Sequence, residues 1–451
     1  MQALSLYPHS PDDVLSRIKQ KHEVMPKNAD VIIIGGGIVG TTSAYYLSKK
    51  GLNVVLVEKD KVASQQSGRN WGFVRTQYRD LAELPLASLA LSLWPNLEKE
   101  LAVDIGWKKN GCIFVAENEA EHEKFKAWQL DAKDIASDAR MLSSTETAKY
   151  IPNLKTKVAG ALYTETDGQA EPCLATIAFA KAASENGAHI LEDCGAVEIE
   201  TTARSVSGVL TEHGLIKAPI VICAAGATSY RFLSKLKLKL PQQIVRNTVS
   251  LTEPLNLLSE ACFCGMGIGI RQRPDGSCIL SSESDVDIDF TLDTMRAARF
   301  FLPSLLNHWS TFSFNLGAPF IDDLHRKVFA AKEDRLLEPR RPKIKPNTRK
   351  VNETLGLLKR HFQMPQEAAI VKSWAGYIDV LPDAIPVIDS PPSVPGLIVA
   401  TGFSGHGFGL GPGVGTVVAQ LATEGKSDIS LNDFRLDRFV LGTFKPPHAP
   451  L

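Results

Sequence analysis

The 451-residue sequence has no surplus of charge: 50 lysines and arginines stand against 50 aspartates and glutamates, a formal net charge of zero at pH 7. Without a basic excess there is no electrostatic footprint for a nucleic-acid partner. A disulfide framework is missing too. Seven cysteines (112, 173, 194, 223, 262, 264, 278) are scattered and odd in number, which reads as reduced thiols of a cytoplasmic protein. Cys262 and Cys264 form a lone C-x-C without a second pair or a histidine cluster, so no metal centre is expected. Nor is any apolar run long and clean enough for a membrane span. Residues 31–48 are uncharged for 18 positions but contain three consecutive glycines, two threonines and two serines, and 18 is the minimum for a span. The uncharged run from Ser390 to Thr423 is broken by Pro395, Pro412 and seven glycines between Gly402 and Gly415. The first thirty residues are too charged for a secretory signal. Internal repeats and low-complexity tracts are not evident.

What is present is a chain long enough for about two or three domain-sized units, with one well-formed local pattern near its start. Ile32, Ile33 and Ile34 predict a short strand buried on both faces of a parallel sheet. Gly35-Gly36-Gly37-Ile38-Val39-Gly40 comes next and fits G-x-G-x-x-G. The first glycine permits the tight turn, the second a close approach to a pyrophosphate, the third helix-on-strand packing. A helix then runs to Gly51, and "NVVLVE" is a second strand ending at Glu58, 18 residues after Gly40. A carboxylate there can accept hydrogen bonds from an adenosine ribose, and the helix N-terminus favours the pyrophosphate anion. Strand, glycines, helix, strand and acid within one ~30-residue unit specify dinucleotide binding far better than the glycines alone.

Three further segments favour the flavin dinucleotide over the nicotinamide one. "KDKVASQQSGRNWGFVR" supplies a small, polar loop able to run along a bound dinucleotide, with Ser67, Gly68, Arg69 and Asn70 at its centre. Two later segments, "IKAPIVICAAGATS" and "GLIVATGFSGHGFG", again run an apolar strand into a glycine turn. A long cofactor enclosed by several returning segments accounts for the glycine-rich text at both ends of the chain. The last strand and turn should bring backbone N–H groups to the flavin ring, with a sealing helix near Val414–Ala422.

Together "DVIIIGGGIVG", "VVLVEK", "SGRNWGFVR", "ICAAGATS", "WAGYIDVLPDAIPVID" and "GFSGHGFG" resemble the FAD-dependent amino-acid oxidoreductases of the D-amino acid oxidase, glycine oxidase and sarcosine oxidase superfamily over roughly residues 28–440. The N-terminal arm, the "QSGR" loop, a long insertion and the ending "FRLDRF" look most like bacterial L-amino acid deaminases and opine or agropinate oxidase subunits. The resemblance implies an α/β fold: a Rossmann-like FAD-binding domain with an interleaved α+β substrate domain built on an antiparallel sheet. It places the cofactor domain at 28–110, 150–235 and 370–440, and the substrate domain at 111–149 and 236–369 with a 291–362 insertion. Residues 1–27 form an arm and 441–451 a tail.

Carried over by motif, the implied flavin contacts are Gly35, Gly37, Ile38, Val39, Gly40, Glu58, Lys59, Gln66, Ser67, Arg69, Asn70, Trp71, Gly72, Val197, Ala225, Gly226, Gly376, Gly405, His406 and Gly407. The segment matching the covalent cysteine of sarcosine oxidases, "SWAGYID", has no cysteine, so non-covalent FAD is expected. The arginine of "G-x-R-P" that holds the substrate carboxylate in glycine and D-amino acid oxidases is Ile378 here. Arg75 falls where sarcosine oxidases place a carboxylate ligand, and Arg271 and Arg273 lie on a strand that faces the flavin in relatives; arginine's planar fork suits the task. His406 either shapes the flavin surroundings or acts as a base.

The implied reaction moves a hydride equivalent from the amine-bearing carbon of an amino acid to the flavin, and the imine then hydrolyses to a 2-oxo acid and ammonia. Oxygen or a quinone is the electron acceptor. The alternatives are oxidation of a secondary amine (an N-methyl amino acid, a proline analogue, an opine) and a flavoprotein subunit of a heteromeric dehydrogenase. Between Lys332 and Lys350 eight basic residues face three acids. Two readings stand: a solvated surface, or a docking face for a redox partner or for the inner face of a membrane.

Overall fold

The computed structural model describes residues 25–136, 138–283, 286–307, 312–315, 317–329, 340, 342, 344–363, 368–445 and 447. The apolar runs predicted as buried strands form one six-stranded sheet, in the order Val387–Asp389, Leu397–Thr401, Ile220–Cys223, Val31–Ile34, Val54–Val57, His189–Leu191. All neighbours are parallel except the first pair. Ile33 lies in register between Ile222 and Leu56. Because strand side chains alternate, every second residue enters a different layer. Val31, Ile33, Val54 and Leu56 pack among the helices. Ile32, Ile34, Val55 and Val57 pack on the other side, with Ile199, Val209 and Ile216 of a three-stranded antiparallel sheet. Continuous hydrophobicity in these strands is therefore required by two covered faces.

The glycine run at the C-terminal end has a packing reason as well as a turn reason. The sealing helix spans Gly407–Glu424, starting earlier than Val414 because its glycines are helical contacts and not loop. A Cβ at Gly411 would lie 2.4 Å from Ile38 Cγ1, and one at Gly415 would lie 2.6 Å from Thr42 Cβ. Thr42 Oγ1 donates to the Gly411 carbonyl at 3.0 Å. The last helix thus lies directly on the first, Ile38–Lys49, and the two ends of the sequence meet at the glycine turn.

The second layer is a ten-stranded, largely antiparallel sheet. Gly160–Thr164 and Ile370–Val380 belong to it, although the expected boundaries put both in the cofactor domain. Their apolar text fits either sheet; pairing with Cys112–Ala116 and Gln243–Thr252 decides. Of the expected arm only residues 25–27 are described, where the Lys27 carbonyl accepts from Lys217 N–H at 3.0 Å. Most of the basic stretch also lies outside the described residues. Three of its described members are engaged internally: Arg340 with Glu212, Arg349 with Glu353 at 3.3 Å, and buried Lys350 with Asp287 at 3.5 Å. Among the described residues no helix is long and apolar enough to cross a membrane.

Candidate active site

The first strand ends at Gly35, whose φ of 111° favours glycine; a Cβ there would sit 2.4 Å from the Ala224 carbonyl oxygen. The helix Ile38–Lys49 starts with no side-chain cap of its own. Instead Ile38 N–H donates to Ser67 Oγ at 2.8 Å, so the polar loop closes on the helix N-terminus. Glu58 ends the second strand with both oxygens engaged, accepting from Gly36 N–H at 2.6 Å and Asp60 N–H at 2.9 Å. Burial pushes its carboxyl above the ordinary range, opposed by those two donors. The approach is close: a Cβ at Gly36 would meet Glu58 Cβ at 3.0 Å. Sequence reasoning did not single it out, though it stands inside the triplet.

Above this turn lies a cavity of about 1860 Å³, roughly twice the upper end of a small-ligand pocket and of a size for a dinucleotide plus substrate. Of the expected cofactor residues it is lined by Gly35, Gly37, Ile38, Val39, Glu58, Lys59, Gln66, Ser67, Arg69, Asn70, Trp71, Gly72, Ala225, Gly226, Gly376, Gly405, His406 and Gly407. Segments more than 300 residues apart along the chain share that wall, as expected for an enclosed flavin dinucleotide. Gly40 is behind it, against the Gly35 carbonyl. Val197 is not in the lining; it lies on Ala196–Thr202 of the three-stranded sheet, its carbonyl accepting from Lys235 at 3.4 Å. A strand edge in the sequence did not reveal which sheet owned it.

The wall near the C-terminal turn is polar. Asp379 accepts from Gly402 N–H at 2.9 Å and Gln242 Nε2 at 2.8 Å, fixing the last turn from the substrate-domain side; burial raises its pKa to about 6. His406 precedes the helix Gly407–Glu424, and its Nδ1 is 3.0 Å from Glu83 Oε2. Burial and Arg79 push the imidazole down to about 4. Burial alone would raise Glu83, but His406, Arg79 and Arg75 hold it below the usual carboxylate range. The pair is therefore a neutral imidazole whose Nδ1–H donates to a carboxylate, not an ion pair at neutral pH.

Arg75 lines the cavity, its guanidinium 5.2 Å from the centre of the Phe114 ring and its Nη1 on the Gln77 carbonyl. It forms no ion pair with a carboxylate among the described residues. Arg271 and Arg273 differ from expectation. Neither lines the cavity, and both are buried on Glu171, through Arg271 Nη1–Oε1 at 2.8 Å and Arg273 Nε–Oε1 at 3.0 Å. Arg271 packs behind the cofactor loop, where a Cβ at Gly72 would meet its Cζ at 2.9 Å. A lone arginine on a strand gives no sign of a carboxylate a hundred residues away. The structure brings Arg79 and Glu83 to the cavity region instead. Their only signal was two charges four apart at the start of an apolar helix.

A doubly covered parallel sheet, a glycine turn on a helix N-terminus and an acid at the end of the second strand define a dinucleotide-binding flavoprotein architecture. The sequence matches the family model described as FAD dependent oxidoreductase over residues 30–421, and the chain belongs to that family. Human mitochondrial sarcosine dehydrogenase is 23% identical over 423 residues, 92% of this chain and 42% of that protein. The chain thus spans about two fifths of the length of that relative. Glycine oxidase of Geobacillus kaustophilus is 26% identical over 427 residues, covering 92% of this chain and 98% of the oxidase. The structure of L-amino acid deaminase from Proteus myxofaciens in complex with anthranilate superposes with a TM-score of 0.87 at 24% identity, covering 94% and 96% of the two chains, and shares the fold. The family resemblance of the motifs is borne out, and FAD is the family's cofactor.

Proposed function

We propose that this protein oxidises the C–N bond of an amino acid to an imine, which water converts to a 2-oxo acid and ammonia. The observation that carries the reading is Arg75, a guanidinium without a carboxylate partner among the described residues, on the wall of the cavity that the glycine turn and His406 also line. Its fork pairs with the substrate carboxylate and orients the amine-bearing carbon. The bound flavin supplies the two-electron acceptor. As the C–N double bond forms, the carbon gives up its hydrogen with the electron pair and the nitrogen gives up a proton. Neutral His406 adds no positive charge to the site. The electrons pass on to oxygen or a quinone. All seven cysteines are free and buried, which supports a cytoplasmic setting.

The test is anaerobic mixing with L-, D- and N-alkyl amino acids while flavin absorbance is monitored. Bleaching by a primary amino acid is the expected result. Bleaching by N-alkylated substrates alone would replace the reading with secondary-amine oxidation, and no bleaching by any amine, with copurifying chains, would favour a subunit role.

Two cofactor predictions accompany this reaction. Denaturation by acid or heat should release FAD to the supernatant, because the cavity-lining thiol Cys264 is held protonated by burial; flavin staying with the precipitate would show a covalent link. Glu58→Ala should raise the FAD dissociation constant about ten- to a hundredfold, the loss of one charge-assisted hydrogen bond of about 1.5–3 kcal/mol. Unchanged affinity in a folded variant would remove Glu58 from the ribose site.

A further inference from the structure

One short segment buries four polar atoms with no hydrogen-bond partner among the described residues: Gln77 Nε2 and Oε1, Arg79 Nη1 and Glu83 Oε1. Arg79 is the anomaly. It is 2% exposed and lines the same cavity as Arg75 and His406, and its Nε donates to the Arg75 carbonyl at 3.2 Å. Of the nearby Glu83 carboxylate, Oε2 is taken by His406, and Oε1 makes no hydrogen bond to Arg79 or to any other described residue. Burial and the neighbouring Arg75 push its pKa down to about 9. It is a cation at neutral pH that the Glu83 and Asp167 carboxylates offset without an ion pair to either among the described residues. Buried charges are paired, and a buried donor left alone is costly. Neither guanidinium at this end of the cavity forms an ion pair with a carboxylate among the described residues, and Arg79 Nη1 has no hydrogen-bond partner there.

We propose that Arg79 is a second ligand of the substrate carboxylate, closing with Arg75 a two-guanidinium clamp beside His406. The identity of the anion rests on the amino-acid reading above; the binding of an anion does not. The clamp makes the site one for amino acids, since a simple amine would leave the buried Arg79 Nη1 without an acceptor. A purely structural Arg79, balancing Glu83 at a distance, would be indifferent to the charge of a ligand.

The experiment titrates the FAD-loaded enzyme with benzoate and with its uncharged isostere benzamide, reading the flavin absorbance. Arg79→Lys and Arg79→Gln should each raise the benzoate dissociation constant about ten- to a hundredfold, the range for one charge-assisted hydrogen bond. Benzamide affinity and FAD content should stay within about twofold. Unchanged benzoate affinity in folded, FAD-loaded variants overturns the proposal, as do equal losses for benzoate and benzamide. So does failure of the native enzyme to bind benzoate at all. Should neither variant fold, a crystal structure of the native enzyme with benzoate decides. A carboxylate oxygen within hydrogen-bond distance of Arg79 Nη1 supports the clamp, and a carboxylate on Arg75 alone ends it. Benzoate binding that responds to Arg79 while no amino acid bleaches the flavin keeps the clamp and removes the oxidation reading. The opposite pair of results keeps the oxidation and removes the clamp.

Discussion

Arg75→Ala is expected to lower kcat/KM for the amino-acid substrate by roughly thirtyfold to several thousandfold, the effect of about 2–5 kcal/mol for truncating one partner of a buried charge pair. The substrate carboxylate would enter the cavity with one of its cations gone, and a desolvated charge left uncompensated is costly. Arg75→Lys keeps the charge but loses the planar fork, so a smaller loss, mainly in KM, is expected. FAD content should be normal in both, because Arg75 stands on Phe114 and the Gln77 carbonyl rather than on the glycine turn. Normal oxidation by a folded, FAD-loaded Arg75→Ala would put the carboxylate elsewhere. Arg271 and Arg273 are then poor successors, since both are committed to Glu171, and Arg79 is the next residue to test. Equal losses for an amine without a carboxylate would instead assign Arg75 to the flavin or the fold. If Arg75 and Arg79 hold one anion, their effects should be non-additive.

The half of the site that was legible is the half written locally. "VIIIGGGIVG" and "VVLVE" carry strand, turn, helix and acid within one unit, and their pairing obeys short-range rules. What stayed hidden depends on partners distant in sequence. Ser67 caps a helix that begins 29 residues before it. His406 is oriented by Glu83, 323 residues away. Arg271 looked like a ligand because its strand faces the flavin in relatives, a resemblance that says nothing of Glu171, 100 residues off. The glycines of the last helix were visible, yet their purpose was split between a turn and a helix–helix contact, and only the approach of Gly411 to Ile38 separates the two.

That close packing sets the second large effect. Gly40→Ala should give protein that is devoid of FAD and either insoluble or much less stable to heat. A Cβ at position 40 would lie 1.9 Å from the Gly35 carbonyl oxygen and 3.1 Å from its carbon. Both are backbone atoms, so no rotamer change relieves the clash. Gly35 cannot retreat, because its own α-carbon faces the Ala224 carbonyl, where even an added methyl would sit at 2.4 Å. The helix must therefore lift from the strand, and with it go the Gly36 donor to Glu58 and the Ile38 donor to Ser67 that shape the cofactor turn. Overpacking of a tight core costs about 1–3 kcal/mol where side chains yield, and more is expected where backbone opposes backbone. Gly37 makes the contrast. A Cβ there meets Ser67 Oγ at 3.0 Å, the end of a side chain able to rotate, so Gly37→Val should fold yet lose FAD, because the added bulk occupies the pyrophosphate's approach. The flavin-to-protein absorbance ratio and a melting curve measured on both variants decide the matter. Gly40→Ala with full FAD and a native melting temperature would mean that helix and strand do not meet as closely as this turn requires.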